Sequence, residues 1–407
     1  MKAAGLIPND FHADSDGALT IGRWRVEALA SEEGPTPIFA YDSAIVAARI
    51  ARFRKAMPED VALHYAVKAN PFAPLLRFIA PLVDGFDIAS IGELERLHGV
   101  DTKAISFAGP AKSDAALEAA LCSGITVNLE SEQEAERALA LAERMSVRPS
   151  LAVRVNPPFG LKGAGMKMGG LASPFGIDHD RVPALVRRLI DAGADWRGFH
   201  IFCGSQALQA EALIETQRAT IALAGELANE AAASPPAVNL GGGFGIPYFP
   251  GDQPLDIEAV GAALRESLRD RPQQLETTQF SIELGRWLVG EAGVYLTRIV
   301  ERKVSRGRTF LITDGGLHHM LAASGNFGQL LRRNYPIAIA PKFSDEPEEE
   351  VTVTGCLCTP LDLLADSVRL PRADVGDIVA IFCAGAYGLS ASPISFLSQP
   401  AAREILV

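Results

Sequence analysis

Short β-rich runs alternate with helix-forming stretches from about Pro35 to Leu284, and this alternation restricts the folds open to the chain more than any other feature. The runs begin with PIFAY (37–41) and ALHYAV (62–67) and end with QFSIE (279–283). Such alternation indicates parallel strands joined by helical crossovers. Roughly eight units in about 250 residues predict a (β/α)8 barrel. A doubly wound open sheet is the alternative, because the pattern alone does not show whether the sheet closes.

The character of the chain changes after Arg286, where β-rich runs such as VYLTRIVERKV (294–304) follow one another without long helices between them. This pattern predicts a separate antiparallel β module. The strand-like run ALTIGRWRV (18–26) precedes the barrel and is expected to join that module. We therefore predict three segments: an N-terminal segment (1–34) associated with the β-domain, a barrel (35–285) and a C-terminal β-domain (286–407).

Composition excludes several classes of partner. The 407 residues include 38 Lys and Arg against 49 Asp and Glu, a net charge of −11, so neither nucleic acid nor an anionic membrane is expected as a partner. The five cysteines are too few, and odd in number, for a disulfide framework, which favours a reducing compartment. The N-terminus lacks the apolar core of a signal peptide, and no uncharged apolar run reaches the ~18 residues of a membrane span. These features predict a cytoplasmic protein.

Three clusters follow strand-like runs, where the functional sites of parallel barrels lie. Lys68 in YAVKAN ends an apolar run, and partial burial there would lower its pKa and leave an amine able to form an imine; a surface lysine opening a loop is equally compatible. The GGGFG turn (241–245) offers backbone amides to a phosphate, or is ordinary turn chemistry. In ELGR, Glu283 could pair with a protonated ring nitrogen while the backbone of Arg286 meets a phosphate, or the two could form a structural ion pair.

A fourth cluster follows the run GFHIF. Ser205 there offers a hydroxyl suited to a phosphate, and His200 and Phe202 are two residues apart and point to the same face. A lone histidine is more often a core residue than a catalyst, so His200 is open to both interpretations.

A fifth cluster contains the C-x-C pair Cys356 and Cys358 in the β module. No second pair accompanies it, and His318 and His319 would complete only an irregular site, so we predict no metal centre. A partly exposed thiol near a cationic cofactor could instead donate a proton.

The ordered set YAVKAN, GFDIAS, SPFGI, HIFCGSQ, GGGFG, ELGR, CTPLD and GAY resembles the ornithine/diaminopimelate/arginine decarboxylase family, the pyridoxal-phosphate (PLP) enzymes of alanine-racemase-like fold. The resemblance covers roughly Pro35 to Ser392. It implies a PLP-binding (β/α)8 barrel, a C-terminal β-domain and a homodimer with two shared active sites. It also implies that PLP acts as an electron sink for loss of an α-carboxylate.

The resemblance assigns roles to individual residues. Lys68 is implied to hold PLP as a Schiff base, and Glu283 to face the pyridine nitrogen, which favours decarboxylation over racemisation. Cys358 is implied to enter from the partner subunit as a proton donor, with Asp362 directed toward the substrate. The groups implied to hold the phosphate are Ser205, Gly242, Gly243, the backbone of Gly285 and Arg286, and Tyr387. The groups implied to tune the site are Asp87, Ser90, Glu93 and Arg154, and His200 is counted among the cofactor-binding candidates.

The chain departs from the family at positions that read the substrate. Phe202 stands where members often carry a histidine stacked on the cofactor ring, and ELGR replaces EPGR. Diaminopimelate decarboxylases carry C-E-S-x-D, whose Glu binds the distal amine, but Thr359 stands in that place here. Their R-P-x-L-Y segment, which reads the distal carboxylate, has no counterpart in Leu317–Gly328 (LHHMLAASGNFG).

These departures, together with the stretch GAGMKMGG (163–170), resemble decarboxylases associated with exosortase systems and with carrier-protein-bound glutamyl substrates. We therefore predict a decarboxylase of a modified or acyl-carrier-bound amino acid. A diaminopimelate decarboxylase of lysine biosynthesis and a non-catalytic PLP-binding homologue are the alternatives.

Overall fold

The computed structural model describes residues 2–32, 34–163, 165–327, 329 and 331–407, except for the side chains of Glu32 and Lys167. These residues form two compact units. The barrel unit comprises Ile50–Ile246 and Pro254–Gly285, and the β unit comprises Met1–Arg49, Pro247–Gln253 and Arg286–Val407.

Eight parallel strands form the ring of the barrel unit's sheet, and a short ninth strand, Ile177–Asp178, pairs with the end of one of them. In sheet order the eight strands of the ring are Ser150–Asn156, Asp195–Ile201, Ala237–Asn239, Gln279–Leu284, Val61–Ala66, Gly85–Ile88, Ile105–Phe107 and Thr126–Leu129. The last strand pairs with the first, through Val127 and Leu151 among others, so the sheet closes on itself. The predicted (β/α)8 barrel is therefore confirmed, and the open doubly wound sheet is excluded because a closed ring has no edge strands.

Helices connect successive barrel strands. They are Ala73–Ile79, Ile91–Arg96, Asp114–Cys122, Glu132–Met145, Val182–Asp191, Ala210–Ala231 and Ile257–Arg269, and Ser43–Ala56 precedes the first strand. Several begin at a side-chain cap: Ser113, Ser131 and Asp256 each accept a hydrogen bond from a backbone N–H in the first turn of their helix. The alternation of helices with short strands is what the sequence pattern predicted.

The β unit contains an eight-stranded sheet. Its strands are Ile38–Tyr41, Gly293–Ser305, Arg308–Thr313, Ile337–Ile339, Glu349–Thr354, Leu363–Leu370, Ile378–Ile381 and Arg403–Leu406. Most pairs are antiparallel, as predicted, but two are parallel: Arg308–Thr313 with Glu349–Thr354, and Arg403–Leu406 with Ile38–Tyr41. The sheet is therefore mixed rather than wholly antiparallel.

The N-terminal residues lie in the β unit, but their strands do not pair with its large sheet. His12–Ala13, Leu19–Ile21 and Trp24–Arg25 form a separate three-stranded antiparallel sheet, followed by the helix Val26–Glu32.

The strand Ile38–Tyr41 lies in the β unit, whereas sequence analysis placed it within the barrel range of 35–285. It pairs with Gly293–Leu296 on one side and with Arg403–Leu406 on the other. All four of its residues are buried and apolar, so their periodicity could not indicate which sheet they join.

Candidate active site

Polar side chains occupy neighbouring positions near the carboxyl ends of the barrel strands. His64 is in register with Glu283, and His200 is in register with both Arg154 and Asn239. Glu283, His200 and Arg154 are buried. Because buried polar groups require partners, this layer marks a place where the barrel interior is built for chemistry rather than for apolar packing.

A bulge in the strand Asp195–Ile201 directs His200 into this layer. The pairing register shifts between Trp196 and Gly198, and Gly198 has φ +106°. Trp196 and Phe199 consequently lie on the same side, with ring centroids 5.5 Å apart, and His200 points to the other side. An alanine Cβ at Gly198 would overlap the backbone of Ala237, so the bulge requires glycine.

Lys68 lies in the turn Val67–Ala69, directly after the first barrel strand. It lines a cavity of about 160 Å³. Its Nζ is 5.4 Å from the ring centroid of Phe202. Its two neighbours in the turn, Val67 and Ala69, are buried, and Lys68 itself is more exposed than they are. The other polar residues around the cavity are Asp87, Arg154, His200 and Glu283.

Glu283 lines this cavity and is hydrogen-bonded there. Its Oε2 is 3.1 Å from Nε2 of His200 and accepts a hydrogen bond from Nδ2 of Asn239 at 3.3 Å. Burial raises the pKa of Glu283, but His200, Lys68 and Arg154 outweigh burial and lower it to about 2. Glu283 therefore keeps its negative charge throughout the physiological range.

Glu130, which sequence analysis did not single out, holds Arg154 in place. Its Oε1 accepts hydrogen bonds from Nη1 of Arg154 at 2.8 Å and from the backbone of Gly109, and its Oε2 accepts from the backbone of Gly176 at 3.1 Å. The guanidinium of Arg154 also lies 5.2 Å from the ring centroid of Phe175, which lines the cavity. In the sequence, the signal for Glu130 is its position as a charged residue directly after the strand-like run TVNL.

His64 is a second residue that sequence analysis missed. Its Nδ1 lies 3.4 Å from Oδ2 of Asp87, which lines the cavity. Burial lowers the pKa of His64, but the carboxylates of Asp87, Glu283 and Asp84 outweigh burial and raise it. A histidine within the otherwise apolar run ALHYAV was the signal for it.

Ser90 and Glu93 act on the backbone beside the cavity. Oγ of Ser90 accepts a hydrogen bond from the backbone of Glu93 at 3.2 Å, and Oε2 of Glu93 accepts one from the backbone of Ala89 at 2.6 Å. This reciprocal arrangement resembles a capping box and begins the helix Ile91–Arg96. Ala89, whose backbone N–H donates to Glu93, lines the Lys68 cavity.

Ser205 and the glycine turn form a polar corner in the same unit. Oγ of Ser205 is buried and has no hydrogen-bond partner among the described residues. Gly243 has φ +84°, and a Cβ there would overlap the carbonyl oxygen of Gly204. A Cβ at Gly242 would overlap the carbonyl oxygen of Glu283. An unpartnered hydroxyl beside glycines that bring the backbone close together suits an anion such as a phosphate.

Gly285 packs against the turn that carries Lys68. A Cβ at Gly285 would overlap Cβ of Ala69, so the close approach of the two segments needs the glycine.

In the β unit, Arg286 lies among aromatic rings. Its Nη1 donates to the hydroxyl of Tyr248 at 2.7 Å, and its guanidinium lies 4.7 Å from the ring centroid of Tyr387. The motifs ELGR and GAY indicated Arg286 and Tyr387, whereas no motif indicated that Tyr248 holds the guanidinium.

The motif CTPLD forms a loop of the β unit. Cys358 is exposed and Thr359 is half-buried. Asp362 is 2% exposed, and its two carboxylate oxygens accept hydrogen bonds from the backbones of Leu317 and Leu357, both at 2.7 Å. This carboxylate holds the loop together, and the substrate-directed role that the resemblance implied for Asp362 stays a prediction.

The rings of His318 and His319 are in contact, with centroids 3.7 Å apart and planes tilted by 43°. His319 is within hydrogen-bond distance of the Tyr295 hydroxyl and the Pro400 carbonyl oxygen, whereas both nitrogens of His318 are buried and lack partners among the described residues. Among the described residues, no group of three or more His, Cys, Asp or Glu side chains could hold a metal ion. Ala164 in the stretch GAGMKMGG and Gly328 in the stretch LHHMLAASGNFG lie outside the described residues.

Comparison with known proteins places this geometry in a family. The family described as pyridoxal-dependent decarboxylase, pyridoxal binding domain, matches residues 43–290. The L-glutamyl-(BtrI acyl-carrier protein) decarboxylase of Niallia circulans is 35% identical over 91% of this chain and 88% of its own length. The diaminopimelate decarboxylase of Methanothermobacter thermautotrophicus is 31% identical over 98% of this chain and 92% of its own length. The crystal structure of the M. jannaschii diaminopimelate decarboxylase superposes with a TM-score of 0.87 at 26% identity, covering 98% of this chain and 93% of that one.

The chain belongs to the family of PLP-dependent decarboxylases. It is therefore a carboxy-lyase, and its cofactor is PLP. The residues present fit that cofactor: a lysine and an ionised carboxylate line one cavity, and the same unit carries the unpartnered Ser205 hydroxyl beside the glycine turn. Within the described ranges, none of the helices combines the length and the apolar character that a membrane crossing requires.

Proposed function

We propose that this decarboxylase removes the α-carboxylate of an amino acid whose side chain is attached to an acyl carrier or to a similarly uncharged group. The observation that carries the proposal is the lack of charge at Thr359, where a carboxylate would bind a distal amine. The 35% identity to a carrier-protein glutamyl decarboxylase supports it. Decarboxylation needs a free α-carboxylate, so the attachment must be through the side chain.

Residues of the barrel unit account for cofactor binding in this proposal. Lys68 holds PLP covalently, and Ser205 with the amides of Gly242 and Gly243 holds the phosphate. Arg286 and Tyr387 of the β unit are further phosphate-binding candidates, and His200 orients Glu283. Once bound, PLP supplies an electron sink for the bond that breaks.

Glu283 and Arg154 supply the electrostatics. Because the pKa of Glu283 is about 2, its carboxylate stays ionised and can keep a proton on the pyridine nitrogen. Arg154 is hydrogen-bonded to Glu130, so it does not have to reorganise during the reaction, and Oδ2 of Asp87 lies 3.4 Å from Nδ1 of His64.

We also propose that the active enzyme is a homodimer, in which Cys358 of one protomer donates a proton to the product carbon in the site of the other. The thiol of Cys358 is exposed, and a group that is to enter a partner's site has to be accessible. Mixing inactive Lys68→Ala and Cys358→Ala protomers is expected to restore activity through hybrid dimers. If subunits exchange and no activity returns, the shared site is refuted.

The lysine assignment can be tested without turnover. Borohydride reduction of the PLP-loaded enzyme followed by peptide mapping is expected to place a pyridoxyl label on Lys68. A label on any other lysine contradicts the assignment, and Lys68→Ala is expected to lose both the label and the absorption band of bound cofactor.

The substrate assignment is tested by CO₂ release from free and linked amino acids. We expect slow release from free meso-diaminopimelate and fast release from L-glutamate joined through its side-chain carboxyl to pantetheine or to a carrier protein. Each missing charge-assisted hydrogen bond, at about 1.5–3 kcal/mol, lowers the efficiency for diaminopimelate roughly tenfold to a hundredfold.

Diaminopimelate decarboxylation is the second candidate, and the 31% identity over nearly the whole chain favours it. Efficient turnover of free meso-diaminopimelate by the unmodified enzyme would establish this candidate and overturn the carrier-linked proposal. Under our proposal Thr359→Glu improves diaminopimelate turnover, because it restores the missing carboxylate.

A further inference from the structure

A second, larger cavity adjoins the one at Lys68. It has a volume of about 460 Å³ and lies between the start of the helix Ile91–Arg96 and the start of the helix Asp114–Cys122. Ala89, Gly109 and Pro110 line both cavities, so a ligand with its reacting end at Lys68 can extend across these three small residues into the second cavity. We call the second cavity the Ala115 groove, after the helical alanine on its wall.

The wall of the Ala115 groove presents no exposed charge among the residues that line it. Its side chains are Ala, Pro, Ile, Phe and Ser, together with Lys112. The Lys112 side chain is 1% exposed, and its ammonium donates to the carbonyl oxygens of Gly109 and Asn128 and to Glu134. A charged ligand end placed in this groove would lose hydration without gaining a counter-charge.

Two hydroxyls on the wall can recognise an uncharged polar chain. Ser90 accepts a hydrogen bond from the backbone of Glu93, and Ser113 accepts one from the backbone of Ala116, both at 3.2 Å. A hydroxyl that accepts in this way keeps its own proton to donate. Ser90 and Ser113 are exposed, so each can donate to a carbonyl oxygen of a bound ligand.

We propose that the Ala115 groove binds the uncharged, amide-containing arm through which a carrier protein holds its substrate. This inference rests on the proposed function and adds to it the path of the substrate's far end. Apolar segments of the arm pack on the alanines, and amide carbonyls accept from the two serines. The volume falls in the range of about 300–1,000 Å³ that is usual for small-molecule sites.

The proposal is tested by a substitution that fills the Ala115 groove with a large side chain and does not disturb the core. Ala115 is exposed, so the indole of Ala115→Trp can occupy the groove without displacing buried residues. Ala222→Trp is the matched control. Ala222 is also an exposed helical alanine, and it lines a groove of about 450 Å³ that shares no lining residue with the Lys68 cavity.

Two measurements are made on the PLP-loaded wild type and both variants. The first is the affinity for pantetheine itself, by calorimetry or ligand-observed NMR. The second is the steady-state decarboxylation of two L-glutamate derivatives. One carries pantetheine on its side-chain carboxyl, and the other is the side-chain methylamide. Ala115→Trp is expected to weaken pantetheine binding and to raise KM for the pantetheine-linked substrate by about tenfold or more, with the methylamide substrate within about twofold of wild type. Ala222→Trp is expected to match wild type throughout.

The outcomes separate this inference from the proposed function. Turnover of the pantetheine-linked substrate at equal KM in wild type and Ala115→Trp would refute the groove and leave the function standing. Pantetheine binding that Ala115→Trp abolishes, without turnover of any linked substrate by wild type, would support the groove and refute the function. Wild type that neither binds pantetheine nor prefers the linked substrate to the methylamide would refute the groove.

Discussion

Lys112 is a buried lysine whose removal can be predicted in magnitude. Its ammonium lies 3.1 Å from a carboxylate oxygen of Glu134, and the two side chains are 1% and 3% exposed. Burial lowers the pKa of Lys112 even though Glu134 and Glu130 oppose this effect. The ammonium also donates to the carbonyl oxygen of Gly109 at 2.8 Å and so holds a residue that lines both cavities.

Lys112→Met is expected to lower the free energy of unfolding by about 3–5 kcal/mol, because it leaves the Glu134 carboxylate buried without its counter-charge. Glu134→Gln alone is expected to be similarly costly, since it leaves the ammonium unpaired. The double variant Lys112→Met/Glu134→Gln is expected to lose much less than the sum of the two, because no buried charge remains uncompensated.

Urea unfolding of the four proteins, followed by tryptophan fluorescence, measures this cycle. Lys162→Met is the control, because Lys162 pairs with Glu215 at 2.7 Å but the two side chains are 74% and 61% exposed. An exposed pair of this kind is worth less than about 1 kcal/mol. A Lys112→Met cost no larger than that of Lys162→Met, or additive effects in the cycle, would refute the reasoning.

Three further predictions concern pH, backbone geometry and catalysis. Burial and the neighbouring His319 lower the pKa of His318 to about 4. The stability that neutral His318 contributes is complete above pH 6.5 and is lost as the pH falls toward 4. Between pH 7 and pH 5 the free energy of unfolding of wild type should therefore fall by about 2 kcal/mol more than that of His318→Leu, and parallel pH profiles would contradict this. Gly198→Ala is expected to destabilise the protein by more than about 1 kcal/mol in urea unfolding, because of its positive φ and the overlap with Ala237, and an unchanged midpoint would show that the bulge relaxes. Glu283→Gln is expected to slow CO₂ release by about a hundredfold or more at saturating PLP, and a wild-type rate would remove Glu283 from the catalytic machinery.

Much of the candidate site could be predicted from the sequence because barrel sites lie at strand ends. The motifs around Lys68 and Glu283 each follow an apolar run, and the structure brings both residues to one cavity. Their partners could not be predicted in the same way. Glu130 lies 24 residues from Arg154 along the chain, and the parallel pairing of the neighbouring strands Thr126–Leu129 and Ser150–Asn156 brings the two side chains together.

Two expectations depend on the environment of the side chain, which a motif by itself does not show. Lys68 follows an apolar strand, and the structure places it in a turn after that strand, on the wall of the cavity. Asp362 belongs to a recognisable motif, but a motif does not show which way a carboxylate points. In the structure both of its oxygens bind backbone amides of its own unit.

The sequence by itself determined the kinds of element, their order and the residues at the strand ends, because side-chain periodicity and turn residues act over a few neighbouring positions. The tertiary structure alone decided that the sheet closes, that Ile38–Tyr41 joins the β unit, and that the bulge at Gly198 points His200 into the polar layer. It also decided that the Ala115 groove adjoins the Lys68 cavity. Each of these depends on pairing and packing between segments far apart in the chain, which local patterns do not encode.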